Sequence, residues 1–454
     1  MPGGEEDVLV KQSVGSQSRE PVKDNYDIAF SENNPSITFK DRAPPSSSDL
    51  KEVFSKFEAD GPVSKEILSR ARFLCAKYLG GSWNKVQIDD FKIRPVTGGM
   101  SNLLFLVELP PYLHPTSSEP PNALLRIYLQ SDLDQLLTES VVFTLLSERN
   151  LGPKLLGVFP GGRFEQFIAS RPLQCFEISQ PRFAKKIAPL LARTHTLDAP
   201  ITKEPQLITY CRNWLQKFRA TPAGKKPIEI KTTEAQVDSK YYPASLTVDD
   251  LEKELDFIEH FLQNSGSPIV FSHNDLHEGN ILLFNGYELK DDGSVAAEEG
   301  YPPMDFPISM IDFEYCSYNY RGFDLGSHIG EYGDDYNIDR PPYCAIYIKN
   351  FEMIEQRKTF CEAYLQEVYR QRSKDDSHVA ADLVTGDHDT DLETLMTEAE
   401  LFMPLVCMFW ACWALLNAEM SCLSFGYGAH ARDRLAIYFM MKEKLVAFLN
   451  KKNC

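Results

Sequence analysis

Apolar residues along this chain recur at two different periods. Ile67, Leu68, Ala71, Leu74, Cys75 and Tyr78 fall on one helical face after Ser64, and Gly80-Gly81 closes the run. Short apolar runs follow at residues 91–95, 103–109, 123–128, 155–159 and 163–168. These read as strands, the last two joined across Pro160-Gly161-Gly162. A helical pattern at 133–149 sits among them. Beyond residue 170 helical periodicity dominates, at 181–196, 248–264 and 351–370. Apolar stretches at 269–271, 281–284 and 308–313 have strand length. The pattern predicts an α+β chain: a small N-terminal lobe at 48–170 with an antiparallel sheet, and a larger, mainly helical lobe at 171–454. Residues 1–47 are rich in Ser, Pro, Asn and acidic side chains and read as a disordered tail. Polar stretches at 221–247, 286–305 and 373–390 read as surface insertions.

Charge narrows the function. With 65 acidic against 47 basic residues the net charge is −18, which lacks the basic face of a nucleic-acid binder and suits a cationic substrate. Ten cysteines are scattered without a CxxC pair, and the N-terminus is polar and acidic. Both point to reduced thiols in the cytoplasm. Residues 401–418 carry no charge over a length that reaches a minimal membrane span. Pro404, Asn417 and the flanking Glu400 and Glu419 argue for a buried helix instead, with no membrane span.

Chemistry concentrates in residues 270–280, VFSHNDLHEGN, and in ISMIDF at 308–313. An Asp on a loop with an Asn five positions later, followed by a strand ending in Asp-Phe, is the layout of a kinase catalytic loop and its metal-binding Asp. Asp275 is placed to accept the proton of an acceptor hydroxyl. Asn280 and Asp312 offer oxygen ligands suited to Mg²⁺. His273 reads as a brace of the loop, and His195 as a structural residue at a helix end. Between two predicted strands, Gly98, Gly99, Met100, Ser101 and Asn102 have the make-up of a loop that folds over the phosphates of ATP. Turn rules alone favour a plain hairpin there. Arg126 lies inside an apolar strand and needs a partner, for which Glu139 on the following helix is the candidate. A snorkelling Arg is the alternative. Gln166, Phe167 and Ile168 would cross between the lobes, where backbone groups can receive an adenine ring.

HNDLHEGN followed by IDFEY resembles the choline/ethanolamine kinase family, whose fold is two-lobed and protein-kinase-like. VTGGMSN, LLRIY, LGPKLLGVFPGGRFEQF and RGFDLGSHIGEY are similar to that family too, and the resemblance runs from Ile67 to Leu449. It implies ATP- and Mg²⁺-dependent phosphorylation of choline to phosphocholine, towards phosphatidylcholine, and a homodimer. On the matching positions Asp275 is the base, and Asn280 with Asp312 holds the metal. The loop from Gly98 to Asn102, Arg126, Glu139, the 166–168 crossing and His277 form the nucleotide site, with His277 standing where the family often has Gln.

A quaternary ammonium donates no ordinary hydrogen bond, so aromatic faces with a nearby carboxylate are the physical answer. Trp410 and Trp413 stand three apart on one helix. Phe425 and Tyr427 follow, Tyr315 lies three residues beyond Asp312, and EYGDDY contributes Glu331 and Tyr336. Spacing alone fits a packed core helix as well. The resemblance assigns Trp410, Trp413, Phe425, Tyr315, Glu331 and Tyr336 to the choline pocket, with His430 where that family carries a Tyr. The rival readings are an ethanolamine- or aminoglycoside-type kinase and a catalytically inactive binder of quaternary ammonium.

Overall fold

The chain divides into two units, Met1–Pro45 and Ser46–Cys454, and all the described helices and strands belong to the second. The computed structural model describes residues 46–57, 63–96, 102–129, 133–373, 378–421 and 425–452. The expected tail, as far as residue 45, and Gly98, Gly99, Met100 and Ser101 lie outside the described residues. Ser46 and Ser47, expected to belong to the tail, instead start a helix. The Ser46 hydroxyl accepts the Asp49 N–H, and the Asp49 carboxylate accepts the Ser46 N–H, a reciprocal cap on α1 (Ser47–Phe54).

Helix α2 (Lys65–Tyr78) is the first one expected from periodicity, capped by Ser64. Strands β1 (Lys92–Pro95), β2 (Asn102–Glu108), β3 (Asn122–Tyr128), β4 (Leu155–Phe159) and β5 (Gly162–Glu165) form one sheet in the order β1-β2-β3-β5-β4, antiparallel throughout. Period-two alternation turns Phe105, Val107, Leu125, Ile127 and Phe164 to one face. There they bury against Leu50, Phe54 and Leu74 from α1 and α2. Helix α3 (Leu133–Glu148) lies between β3 and β4 in sequence. Strand β5 stops at Glu165, short of its expected end, which leaves residues 166–168 half-buried outside the ladder.

The chain then crosses through β6 (Ser170–Pro172) and α4 (Cys175–Ile178) into a second apolar cluster built mainly of helices. These are α5 (Pro181–His195), α6 (Leu207–Arg219), α7 (Val248–Ser265), α8 (Arg321–Gly330), α9 (Ile354–Arg372), α10 (His378–Asp382), α11 (His388–Met420) and α12 (Tyr427–Lys452). Two of the polar insertions fold into small hairpins, the first pairing β7 (Ile228–Glu229) with β8 (Ser245–Leu246). The strands β9 (Ile269–Ser272) and β10 (Ile281–Phe284) come next, and β11 (Tyr287–Leu289) with β12 (Val295–Ala297) is the second hairpin. Beyond them lie β13 (Ile308–Met310), β14 (Ser317–Tyr320), and the pair β15 (Asp334–Asp335) and β16 (Ala345–Ile346). The protein has a two-lobed, protein-kinase-like α+β fold.

Two features of this lobe position the site. Strand β9 pairs with β14, and β10 pairs with β13, each antiparallel. The loop leaving β9 therefore returns through β10, while the loop leaving β13 returns through β14, so 273–280 faces 311–316. The second feature is α11, which is long and apolar enough to cross a membrane by length and composition. Of its most apolar stretch, 78% is buried inside the protein, against α8, α12, α6 and α9. Helix α8 meets it through Gly322 and Gly326, one turn apart. A β-carbon on Gly326 would lie 2.9 Å from the Met403 backbone nitrogen, so the two backbones touch where no side chain fits.

Gly326→Ala therefore overpacks the α8–α11 seam and should cost about 1–3 kcal/mol, read as a lowered midpoint in thermal or denaturant unfolding. An unchanged midpoint would show that the seam can spread to admit a methyl group.

Candidate functional site

One buried carboxylate shapes the 273–280 loop. Asp324, on α8, accepts the backbone N–H of His273 (2.7 Å) and of Asn274 (2.6 Å), and His195 Nε2 donates to it at 3.0 Å. Burial opposes its charge, yet His195, His273 and these donors hold its pKa below the usual carboxylate range. His195 is the structural residue expected, although it has the partners that the sequence did not reveal: its Nδ1 accepts the Tyr364 hydroxyl at 2.8 Å. Pulled onto Asp324, Asn274 takes a left-handed φ of 66°. Its amide donates to the Tyr315 carbonyl (2.8 Å) and the Ser317 hydroxyl (2.9 Å) and accepts from Asn319 (2.8 Å). His328 reaches the Leu276 carbonyl at 3.0 Å from the same helix.

These ties bring Asp275, Asn280 and Asp312 together. The Asn280 amide donates to the Asp275 carbonyl (2.9 Å) and to its Oδ2 (3.0 Å), which fixes the carboxylate and leaves the Asn280 Oδ1 lone pairs for another ligand. The Ile311 N–H donates to the Asn280 carbonyl (3.0 Å), and His273 Nε2 lies 3.1 Å from the Ile311 carbonyl, so His273 braces the loop as expected. Asp312 follows with a left-handed φ of 62°. Burial raises the Asp275 pKa above the usual carboxylate range, Asp312 adds to this, and the His277, His273 and Asn280 groups oppose it. That direction makes Asp275 a better proton acceptor than an exposed carboxylate. Asn280 Oδ1 and Asp312 form an oxygen donor pair of the kind Mg²⁺ takes when phosphate oxygens complete its shell.

In the N-terminal lobe the expected Arg126–Glu139 pair is not formed. Arg126 Nε binds Glu165 Oε1 at 2.6 Å, and Arg163 takes Glu139, at 2.8 Å, and shares Glu165, at 2.7 Å. Arg163 and Glu165 lie on β5, two residues apart and hence on the same face. Strand β5 neighbours β3, which places both side chains between Arg126 and α3. Arg163 also stacks on Phe143, with its guanidinium carbon 4.1 Å from the ring centre, and donates to the Tyr128 hydroxyl (2.9 Å). An Arg-x-Glu alternation within an apolar strand was the available sequence signal. The charge of Asp312, with those of Glu165 and Glu139, raises the Arg126 pKa against the opposing effect of burial. Gln166 is tied to Lys154, its N–H to the Lys154 carbonyl at 2.8 Å and its Oε1 to the Lys154 N–H at 3.2 Å. Asn102 is the buried first residue of β2, and Phe167 and Ile168 are half-buried beyond β5.

The aromatic residues form a continuous wall. Ring centres run from Tyr315 to Trp410 (5.6 Å), Trp413 (5.5 Å), Tyr427 (5.4 Å), Phe425 (4.9 Å), His430 (5.6 Å) and Tyr336 (6.3 Å). Tyr336 meets His277 at 6.0 Å, and His277 Nε2 lies 4.0 Å from Asp275 Oδ2. Through His277 one end of the wall reaches the Asp275 carboxylate. His277, expected among the nucleotide residues, has Asp275 and Tyr336 as neighbours and borders this wall. Nearby carboxylates raise its pKa although burial opposes them, while its Nδ1 accepts the Gly279 N–H at 3.1 Å, which requires an unprotonated nitrogen. The two demands compete for one atom. Burial and the adjacent Arg434 push the His430 pKa well down, so its ring is neutral.

Carboxylates gather behind the wall. Glu331, 3% exposed, has its pKa pushed up to about 8, by burial first and then by Asp334, with Arg434 opposing. Among the described residues Glu331 Oε2, Glu278 Oε2 and Asp334 Oδ1 are buried without a hydrogen-bond partner. Buried oxygens of this kind are costly unless a cation or donor meets them. Glu278, Asp334 and Arg434 escaped the sequence reading. Arg434 had one signal, its position four residues after His430 on a helix.

A family model described as choline/ethanolamine kinase matches residues 93–439. Choline kinase A2 of Caenorhabditis elegans is 38% identical over 87% of this chain and 91% of its own. A human choline/ethanolamine kinase is 34% identical over 85% and 89%. Among solved structures, a choline kinase of Cryptosporidium parvum superposes with a TM-score of 0.61 at 22% identity, covering 83% of this chain and 96% of its own, a likeness of fold.

Asp324→Ala would orphan two buried backbone N–H groups and an imidazole, and should destabilise the protein by about 3 kcal/mol or more in denaturant unfolding. A loss below roughly 1 kcal/mol would show that the loop keeps its shape without the carboxylate.

Proposed function

The chain belongs to the choline/ethanolamine kinase family, and from that premise we propose that it transfers the γ-phosphoryl group of ATP to the hydroxyl of choline, with ethanolamine as a weaker substrate. One observation carries the reading: the aromatic wall reaches Asp275 through His277, so an aromatic, cation-binding surface adjoins a proton acceptor. Choline spans the two, its trimethylammonium against Trp410, Trp413, Phe425 and Tyr336 and its hydroxyl at Asp275.

Asp275 orients the hydroxyl and takes its proton as the oxygen attacks phosphorus. Asn280 holds the Asp275 carboxylate in place through its amide N–H. Its Oδ1, with Asp312, would hold Mg²⁺, which when bound supplies charge neutralisation across the phosphates. Arg126, fixed by Glu165, supplies a rigid guanidinium for phosphate oxygens, a geometry arginine serves better than lysine. Past Gln166, whose N–H is held by Lys154, the backbone of Phe167 and Ile168 lies outside the sheet ladder and offers groups to the adenine. The primary ammonium of ethanolamine brings N–H donors that the unpartnered oxygens of Glu331 and Glu278 can accept. This is the observation behind the secondary substrate.

Coupled ADP release with Mg·ATP and a panel of choline, ethanolamine and an aminoglycoside tests the assignment. Turnover of choline is expected, and no turnover of any amino alcohol would overturn it. Asp275→Ala should lower kcat by roughly a hundred- to ten-thousand-fold with an unchanged melting curve. Near-wild-type activity would remove Asp275 from the proton-accepting role.

The pH dependence follows from Glu331. Its neighbours are Asp334, Glu278, His277, Arg434 and the Tyr336 hydroxyl, and its carboxyl titrates at about 8. Below that pH the free enzyme holds it protonated and neutral, and an ammonium ligand binds the ionised form. The choline KM should therefore fall as pH rises through about 8, while the ATP KM does not follow. Glu331→Gln should raise the choline KM and flatten the profile. A choline KM independent of pH in the wild type would remove Glu331 from the subsite.

A further inference from the structure

Arg434, on α12, is 1% exposed at its side chain and touches almost every polar group behind the aromatic wall. Its Nη2 donates to Asp334 Oδ2 (2.9 Å), the Tyr336 hydroxyl (3.1 Å) and Glu331 Oε1 (3.4 Å). Its Nε donates to His430 Nε2 at 3.4 Å, and Nη1 lies 4.0 Å from Cys407 Sγ on α11. One planar group thus ties two walls of the box, Tyr336 and His430, to the carboxylates and to the helix that carries both Trp residues.

The charges make this more than packing. One guanidinium stands against two buried carboxylates, Glu331 and Asp334. It occupies one oxygen of each and leaves Glu331 Oε2 and Asp334 Oδ1 unpartnered. A buried carboxylate with half its acceptors met is poised for a cationic ligand. By binding Oε1, Arg434 sets the plane of the Glu331 carboxyl group.

Resting on the kinase reading, we propose that Arg434 is the positioning residue of the ammonium subsite: from behind the aromatic wall it orients Glu331, Tyr336 and His430 toward the substrate cation.

Arg434→Lys keeps the charge and loses the fork that reaches several partners at once. In a variant whose melting curve stays cooperative, the choline KM should rise roughly tenfold while kcat and the ATP KM stay within about threefold. A structural role alone would lower active enzyme and kcat and leave the choline KM in place, and that outcome overturns the proposal. Should Arg434→Lys fail to fold, Tyr336→Phe decides. It keeps the ring and removes the hydroxyl that Arg434 holds, so the choline KM should rise several-fold. The KM of the uncharged choline isostere, with carbon in place of the ammonium nitrogen, should not change. Equal changes for choline and isostere, or none, reject it. Wild-type enzyme that turns over no amino alcohol would sink the kinase reading instead, so the two failures are told apart.

Discussion

The capture of two consecutive backbone N–H groups by the Asp324 carboxylate is the constraint on which the rest of the site depends. A loop between two strands has no ladder to satisfy its own donors, and a buried loop must find acceptors elsewhere. Here the acceptor comes from α8, is itself held by His195, which Tyr364 holds in turn, and forces Asn274 into the left-handed region. The Asn274 side chain can then tie β14 to the loop, and Asp275 is left pointing at Asn280 and Asp312. Reactive geometry is set by a group that takes no part in the chemistry.

The same economy appears in both lobes, where buried arginines and carboxylates are shared and not paired one to one. Glu165 serves Arg126 and Arg163, and Arg163 serves Glu165 and Glu139. Behind the aromatic wall Arg434 serves Glu331 and Asp334. The two clusters differ in balance: two arginines face two glutamates in the N-terminal lobe, while behind the aromatic wall one guanidinium faces two carboxylates.

Much of this was legible in the sequence, for local reasons. Strands and helices announced themselves by period, and the Asp275, Asn280 and Asp312 spacing announced a chemistry, because those residues are positioned by the few residues beside them. What the sequence hid is non-local. Glu139 was assigned to Arg126 because it follows on the next helix, whereas the partner that reaches it, Arg163, arrives from a strand later in the chain through sheet order β3-β5. Arg434 and Asp334 are a hundred residues apart and meet only in the folded core. The apolar stretch of α11 reads like a membrane span because a helix buried on all sides has no polar face to betray it. The fold of the small lobe was readable from its alternation, but the length of β5 was not, since its end is set by where β3 stops pairing.

The close approach of α8 and α11 has a consequence for how such an enzyme can change. Asp324 and the Trp pair sit on two helices that meet at Gly326, backbone to backbone, and at Gly322, against the Phe402 ring, so a substitution in that seam disturbs the 273–280 loop and the aromatic wall together. His430 stands in the first turn of α12 and Phe425 just before that helix, outside the seam. Variation there can reshape the pocket while the phosphoryl-transfer apparatus stays where it is. The architecture thus separates a part of the wall that is free to drift in substrate preference from a part that is frozen by its duties to the loop, and family members with altered amine preference should differ first on α12.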